Sequence, residues 1–235
     1  MKPTGTHFSP FSYPEIQDLL NKLLDSLFEE SGRGAILIAA THVEEHLTKL
    51  IETALPTDIS KKNKDRLFSY PGPLSSFAAK INLSYAFRII DLTLYDSLTA
   101  LRTLRNDAAH SAASFSLYDL NERMKHIYNF GPSVYNVIRE QAISSMMSIK
   151  FDSLNLVFDE QGVPAEERKT YVEELLNKPG TMEKLEKQAP HWELLIGLCF
   201  VCGLISYQKE RIAYLTKKSS TWAGLINLID EGESE

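Results

Sequence analysis

Apolar residues recur at steps of three and four along nearly the whole chain, and nowhere does apolar/polar alternation persist for more than a few residues. The first spacing lays side chains along one face of a helix, the second along one face of a strand, so the chain is expected to be all-α. The longest apolar run, Leu194 to Tyr207, has fourteen residues. A membrane span requires roughly 20, so this run reads as a buried core helix and no membrane association is expected. At 235 residues the chain is long enough to close a core without metal or disulfide.

The pattern predicts a first helix after Pro14, with Ile16, Leu19, Leu20, Leu23, Leu24 and Leu27 on one face, interrupted by Gly32 and Gly34. A second runs from about Ala35 to Ala54, with Ile36, Ala40, Val43, Leu47 and Leu50 in its stripe and Pro56 beyond its end. A charged loop follows. After Pro71-Gly72-Pro73, a third helix carries Phe77, Ile81 and Tyr85 and stops near Asp91, and a fourth opens at Thr93 with the stripe Leu94, Leu98, Leu101. The next member of that series is Arg105. Further helices are expected over about Leu117 to Tyr128, Pro132 to Lys150 and Pro164 to Lys178, and a last one from Pro190 to about Lys218. There is no internal repeat and no Gly/Ser linker. The simplest organisation is a flexible arm over residues 1–13, a single helical domain with a C-terminal elaboration over 14–218, and an acidic tail over 219–235.

Charge narrows the function classes. With 25 basic and 31 acidic residues the net charge is −6, so the surface as a whole does not suit a nonspecific polyanion binder, and any nucleic-acid contact must be local. Residues 61–90 are the exception at +5, through Lys61, Lys62, Lys64, Arg66, Lys80 and Arg88 against Asp65. This basic loop is a candidate guide for a polyanion. Two cysteines three positions apart form no disulfide framework and suit a reducing compartment, with the cytoplasm as the default.

The most informative segment is Leu104-Arg105-Asn106-Asp107-Ala108-Ala109-His110. A guanidinium on an apolar stripe must be paired or line a polar cleft. Arg102, Asn106 and His110 stand four apart and gather on one side of a continuous helix, whereas five residues turn the direction by about 140°, setting Arg105 away from His110. A shared Arg105 and His110 site therefore needs a break near Ala108 or a second subunit. The plainer reading is a helix end at which both side chains satisfy backbone carbonyls.

Arg105 to His110 resembles the Arg-x(4 to 6)-His signature of the HEPN superfamily, including the polar residue that commonly follows the Arg. The stretch Gly72-Pro73-Leu74-Ser75-Ser76-Phe77-Ala78-Ala79-Lys80-Ile81-Asn82-Leu83-Ser84-Tyr85-Ala86 resembles the signature of the mannitol operon repressor family, which is related in fold to HEPN domains. With the helix bearing Val43-Glu44-Glu45, the resemblance covers roughly Ala35 to Leu120. The repressors keep the His but vary around the Arg, whereas this chain has the full Arg-Asn-x-x-x-His pattern. The resemblance implies a HEPN-like helical bundle with additional C-terminal helices and metal-independent RNA cleavage: His110 moves protons, Arg105 steadies charge on the phosphate, Asn106 orients the phosphate or His110, and Glu44 orients Arg105. Arg102 and the basic residues Lys61, Lys62, Lys64, Arg66 and Lys80 would contact RNA. Neither catalytic role needs a cofactor. The implied working form is a homodimer, acting as a toxin or defence effector with a cognate protein partner such as an antitoxin. The rival reading is a noncatalytic transcriptional regulator of the mannitol operon repressor type, working through protein partners. No short Gly-containing turn followed by a basic recognition helix marks a helix-turn-helix.

Two further motifs have plainer readings. His42-Val43-Glu44-Glu45-His46 fits H-x-x-E-H, the inverted zinc-peptidase pattern, yet no third ligand is evident, and a solvated or RNA-facing helix face is the preferred reading. Cys199-Phe200-Val201-Cys202 lies inside the apolar run without a second pair, which favours core packing over zinc or redox chemistry.

Overall fold

The computed structural model describes residues 9–110 and 115–216. Among them the chain forms α1 (Pro14–Glu29), α2 (Gly32–Ala54), α3 (Lys61–Phe68), α4 (Phe77–Ala86), α5 (Leu92–His110), α6 (Asn121–Lys125), α7 (Val134–Glu160), α8 (Ala165–Asn177) and α9 (Thr181–Thr216). Short 3-10 turns occupy Pro10–Ser12 and His126–Tyr128, and no strand occurs among the described residues. The fold is all-α, as the periodicity requires.

Helix starts follow local capping chemistry. The side chains of Ser31, Ser60 and Ser76 accept from the amides of Gly34, Asn63 and Ala79, and Asp91 Oδ1 accepts from Leu94 N at 2.9 Å, each satisfying an otherwise orphaned first-turn donor. The Ser31 cap corrects one expectation. Gly32 and Gly34 do not interrupt the chain but form the first turn of α2. Likewise Ser60 converts the expected basic loop into α3.

Helix ends differ from the expectations wherever the signal is not a Gly or Pro. The third predicted helix was to run to Asp91, but α4 stops at Ala86. Arg88 adopts φ 58°, its amide bonds to the Tyr85 carbonyl and that of Ile89 to the Ser84 carbonyl, which is a Schellman closure with arginine in the position glycine usually takes. The helix α7 continues past the expected Lys150 to Glu160, since no Gly or Pro intervenes before Gly162. The predicted helix over Leu117 to Tyr128 shrinks to α6 and a 3-10 turn, with the Ile127 carbonyl taken by Ser97 Oγ at 2.6 Å. Pro190 does not start the last helix. It lies within α9, where it removes one amide donor but leaves the remaining ladder in place.

The core is built around α9, which packs on α1, α2 and α7, while α5 packs between α2 and α4. Leu23, Leu27, Leu47, Leu50, Leu98, Leu101, Leu195 and Cys199 are all buried there. Close approach to α9 relies on glycine: a Cβ at 197 would overlap the ring of Tyr128, and one at 203 would overlap Pro10. Because Pro10 is buried on α9 and residues 10–12 form a 3-10 turn, this end of the expected flexible arm belongs to the folded domain. The acidic tail, residues 219–235, lies outside the described residues. By length and composition α9 could cross a membrane, but 78% of its most apolar window is buried inside the fold, as expected of a core helix.

Candidate functional site

The exposed end of α5 gathers the residues on which the sequence reading centres. The helix runs unbroken through Ala108, so one of the two routes to a shared Arg105 and His110 site, a local break, is absent. Its buried stripe is Leu94, Ser97, Leu98, Leu101, Leu104 and Ala108. The expectation that Arg105 continues this stripe is therefore corrected: the 3.6-residue repeat carries the stripe through Leu104, and Arg105 is exposed. Arg105, Arg102, Asn106 and His110 fan across about 140° of the outer face. Arg105 and His110 are its two edges. The Arg105 guanidinium donates to Asn106 Oδ1 at 3.2 Å, and that is its only partner among the described residues.

Among the described residues neither Arg105 nor His110 donates to a carbonyl of the helix end, as the plainer reading assigned to them. That role falls to Arg33 at the start of α2, whose guanidinium donates to the Ala108 carbonyl and lies over the Phe115 ring, 5.4 Å from its centroid. Arg123 from α6 binds the Asp107 carboxylate on another side of the same helix end. Arg33 and Arg123 thus bring two cations to the last turn of α5, at Ala108 and Asp107, that spacing within α5 could not reveal, since they arrive from other helices. The only trace of Arg33 in the sequence is a cation between two first-turn glycines, and Gly32 is needed there because a Cβ would press on the Leu117 amide at 3.1 Å.

The other predicted site residues lie elsewhere. Glu44 does not orient Arg105. Its Oε1 takes Lys80 Nζ at 2.7 Å, joining α2 to α4, and Lys80 is only 8% exposed. Lys80 therefore serves the fold rather than an outer RNA-contacting face, because its ammonium is buried against its counter-ion. Lys64 pairs with Glu52 at 2.9 Å, which leaves Lys61, Lys62 and Arg66 as the exposed cations of α3. These stand at the far end of α2. Arg33 touches the α5 terminus and Glu52 touches α3, and nineteen residues of helix place those points about 28 Å apart. The basic segment and the α5 face are thus separate patches.

The H-x-x-E-H segment is divided by burial. His42 is partly exposed with Nδ1 3.6 Å from Glu45 Oε2, whereas His46 is buried and its Nδ1 donates to the His42 carbonyl at 2.9 Å. No group of three or more His, Cys, Asp or Glu side chains suited to a metal ion occurs among the described residues. Burial depresses the His46 pKa below 6.5, and Lys49 and Lys209 push the same way against the His42 carbonyl and Glu15. Such a group is protonated more readily in the unfolded chain, so it contributes stability above about pH 6.5 that is lost as pH falls through its folded value. Urea midpoints measured from about pH 8 down to pH 5 should decline in the parent and decline less in His46→Gln. Equal slopes would show that His46 is not the coupled group. The other cluster resolves as core: Cys199 and Cys202 are free and buried, and burial pushes the Cys199 thiol up to about 12, far from nucleophilic.

No family model, curated protein or solved structure matches this chain.

Proposed function

We propose that the outer face of the α5 terminus is an RNA-directed site in a HEPN-like domain, similar in signature to the mannitol operon repressors, and that two copies complete it. One observation carries the reading. Arg102, Arg105, Asn106 and His110 lie together on the outer face of α5, while Arg33, Asp107 and Arg123 tie the same helix end to the fold. Side chains that make no ion pair and no helix cap among the described residues, of types that bind phosphate and transfer protons, favour chemistry over capping.

In this reading the imidazole of His110 takes the proton from a ribose 2′-hydroxyl as that oxygen attacks the adjacent phosphorus. The 5′-oxygen leaves and takes the proton from the His110 imidazolium so formed, giving a 2′,3′-cyclic phosphate and a 5′-hydroxyl and restoring the neutral imidazole. Arg105 donates two hydrogen bonds to the charged phosphorane, for which its planar guanidinium is suited. Because Arg105 and His110 diverge by about 140° on one straight helix, the Arg of one chain and the His of its partner would meet a single phosphate across a two-fold axis. No cofactor enters either step. Two free buried cysteines accord with a reducing compartment such as the cytoplasm, and a toxin or defence role with a cognate protein inhibitor fits the activity.

The same divergence, taken within one chain, favours a second reading, a noncatalytic regulator that presents this face to a protein partner. Incubation of the purified protein with total RNA and with single-stranded DNA, with and without chelator, separates the two. The RNase reading expects RNA fragments bearing cyclic phosphates, undiminished by chelator, with DNA intact for lack of a 2′-hydroxyl. Intact RNA, or activity restored by zinc after chelation, would overturn it.

A further inference from the structure

Between α7, the N-terminal half of α9 and the turn leading into α6 lies a cavity of about 580 Å³. That size suits a small-molecule site, whose usual range is roughly 300–1,000 Å³. Its walls include Ile143, Met146, Met147, Met182 and Leu185, apolar side chains of which the methionines adapt readily to an occupant's shape. Glu193 also lines it, and this carboxylate is 2% exposed.

Glu193 is incompletely satisfied for so buried a charge. Its Oε2 accepts from the Tyr135 hydroxyl at 3.2 Å, but that hydroxyl has one proton and a second acceptor, Asn121 Oδ1, at the same distance. Its Oε1 accepts no hydrogen bond among the described residues. The nearest cation is Arg139 Nε at 3.5 Å, on a side chain that is half exposed. An ionised carboxylate has about four acceptor positions, so most of its capacity is open. Burial raises the Glu193 pKa, with Arg139, the Tyr135 hydrogen bond and Lys125 opposing.

Two other features of the lining favour a donor-rich cation. Asp119, Glu122 and Glu186 accompany Glu193, against Arg139 as the one basic side chain of the lining. Pro190 lines the cavity as well, and having no N–H it leaves the Glu186 carbonyl without its helical donor. Positions 186, 190 and 193 share one face of α9, since they recur at steps of four and three.

We infer that this cavity binds a small organic cation, an ammonium group on an apolar body. The ammonium donates to Glu193 Oε1 and the body packs against the methionines. An anion would face a net negative lining, and a neutral alcohol would leave the half-exposed Arg139 as the nearest counter-charge to Glu193. The site is independent of the RNA reading and stands or falls apart from it.

Calorimetric titration of the full chain with hexylammonium tests the inference, with hexanoate and hexan-1-ol as controls of equal length. Hexylammonium should bind saturably and at least about tenfold more tightly than either control, as one charge-assisted hydrogen bond implies. Glu193→Gln should weaken it by a similar factor. Met182→Lys, at a rim position 56% exposed, should weaken it too by tethering a competing ammonium at the mouth while leaving the helical circular dichroism unchanged. Absence of saturable binding by both hexylammonium and 2-phenylethylammonium would overturn the inference. So would hexanoate or hexan-1-ol binding as tightly, or full affinity in the variants. Should Glu193→Gln fail to fold, Met182→Lys decides alone.

Discussion

Arg105→Ala and His110→Ala should each lower RNA cleavage by about 10²–10⁴-fold, the usual scale for losing a positioned acid, base or charge stabiliser. Both positions are exposed and among the described residues the Arg105 guanidinium hydrogen-bonds only to its neighbour Asn106, so urea midpoints should stay within about 0.5 kcal/mol of the parent. The stronger test mixes the two inactive variants. If each site takes Arg105 from one chain and His110 from the other, a mixed dimer retains one intact site, and an equimolar mixture after subunit exchange recovers about a quarter of parental activity. A mixture as inactive as its components would overturn the composite site. Parental activity that persists per chain in a species shown monomeric by light scattering would overturn it as well. Variants that leave RNA untouched but lose a bound protein partner would establish the regulatory reading instead.

Gly197→Ala should produce a large loss of stability for a single added methyl group. Helix propensity alone predicts the opposite sign, since alanine is favoured over glycine inside a helix by about 1 kcal/mol. The position opposes that preference. A Cβ at 197 would overlap the edge of the Tyr128 ring, and Tyr128 is fully buried in the 3-10 turn that follows α6, so the ring has nowhere to retreat. Overpacking of this kind costs about 1–3 kcal/mol, at the upper end where the neighbour cannot move. A urea midpoint well below the parent is the expected result, and partial recovery in Gly197→Ala combined with Tyr128→Leu would assign the loss to that ring. Tyr128→Phe alone should be near neutral, because the hydroxyl is buried without a hydrogen-bond partner among the described residues. A Gly197→Ala protein as stable as the parent would show that α9 can shift away from Tyr128.

Much of the helical order was legible because periodicity is a property of the chain itself. Ile16, Leu19, Leu23 and Leu27 and the stripe Ile36 to Leu50 are buried as their spacing requires, Leu20 and Leu24 are partly so, and the cysteines inside the Leu194 to Tyr207 run are core. Boundaries were legible where Pro14, Pro56 and Pro164 marked them and misread where a serine cap set the start or the marker was ambiguous. Gly32 and Gly34 serve a helix start, Arg88 takes a position that sequence reading reserves for glycine, and Pro190 sits within a helix whose other hydrogen bonds persist.

What the sequence determined by itself was local: an all-α chain, the apolar faces of its helices, and the angular separation of Arg105 and His110 on an uninterrupted helix. These follow from backbone geometry, which needs no partner. Tertiary structure decided which charges are spent on the fold and which remain for chemistry. Glu44 and Lys80, both read as site residues, neutralise one another between α2 and α4, while Arg33, unmarked in the sequence, caps α5 from another helix. Glu193 became notable only once α7 and α9 enclosed it. The physical reason is the same in each case. The role of a charged side chain is set by the counter-ion and the water it keeps or loses on folding, and distant segments supply both.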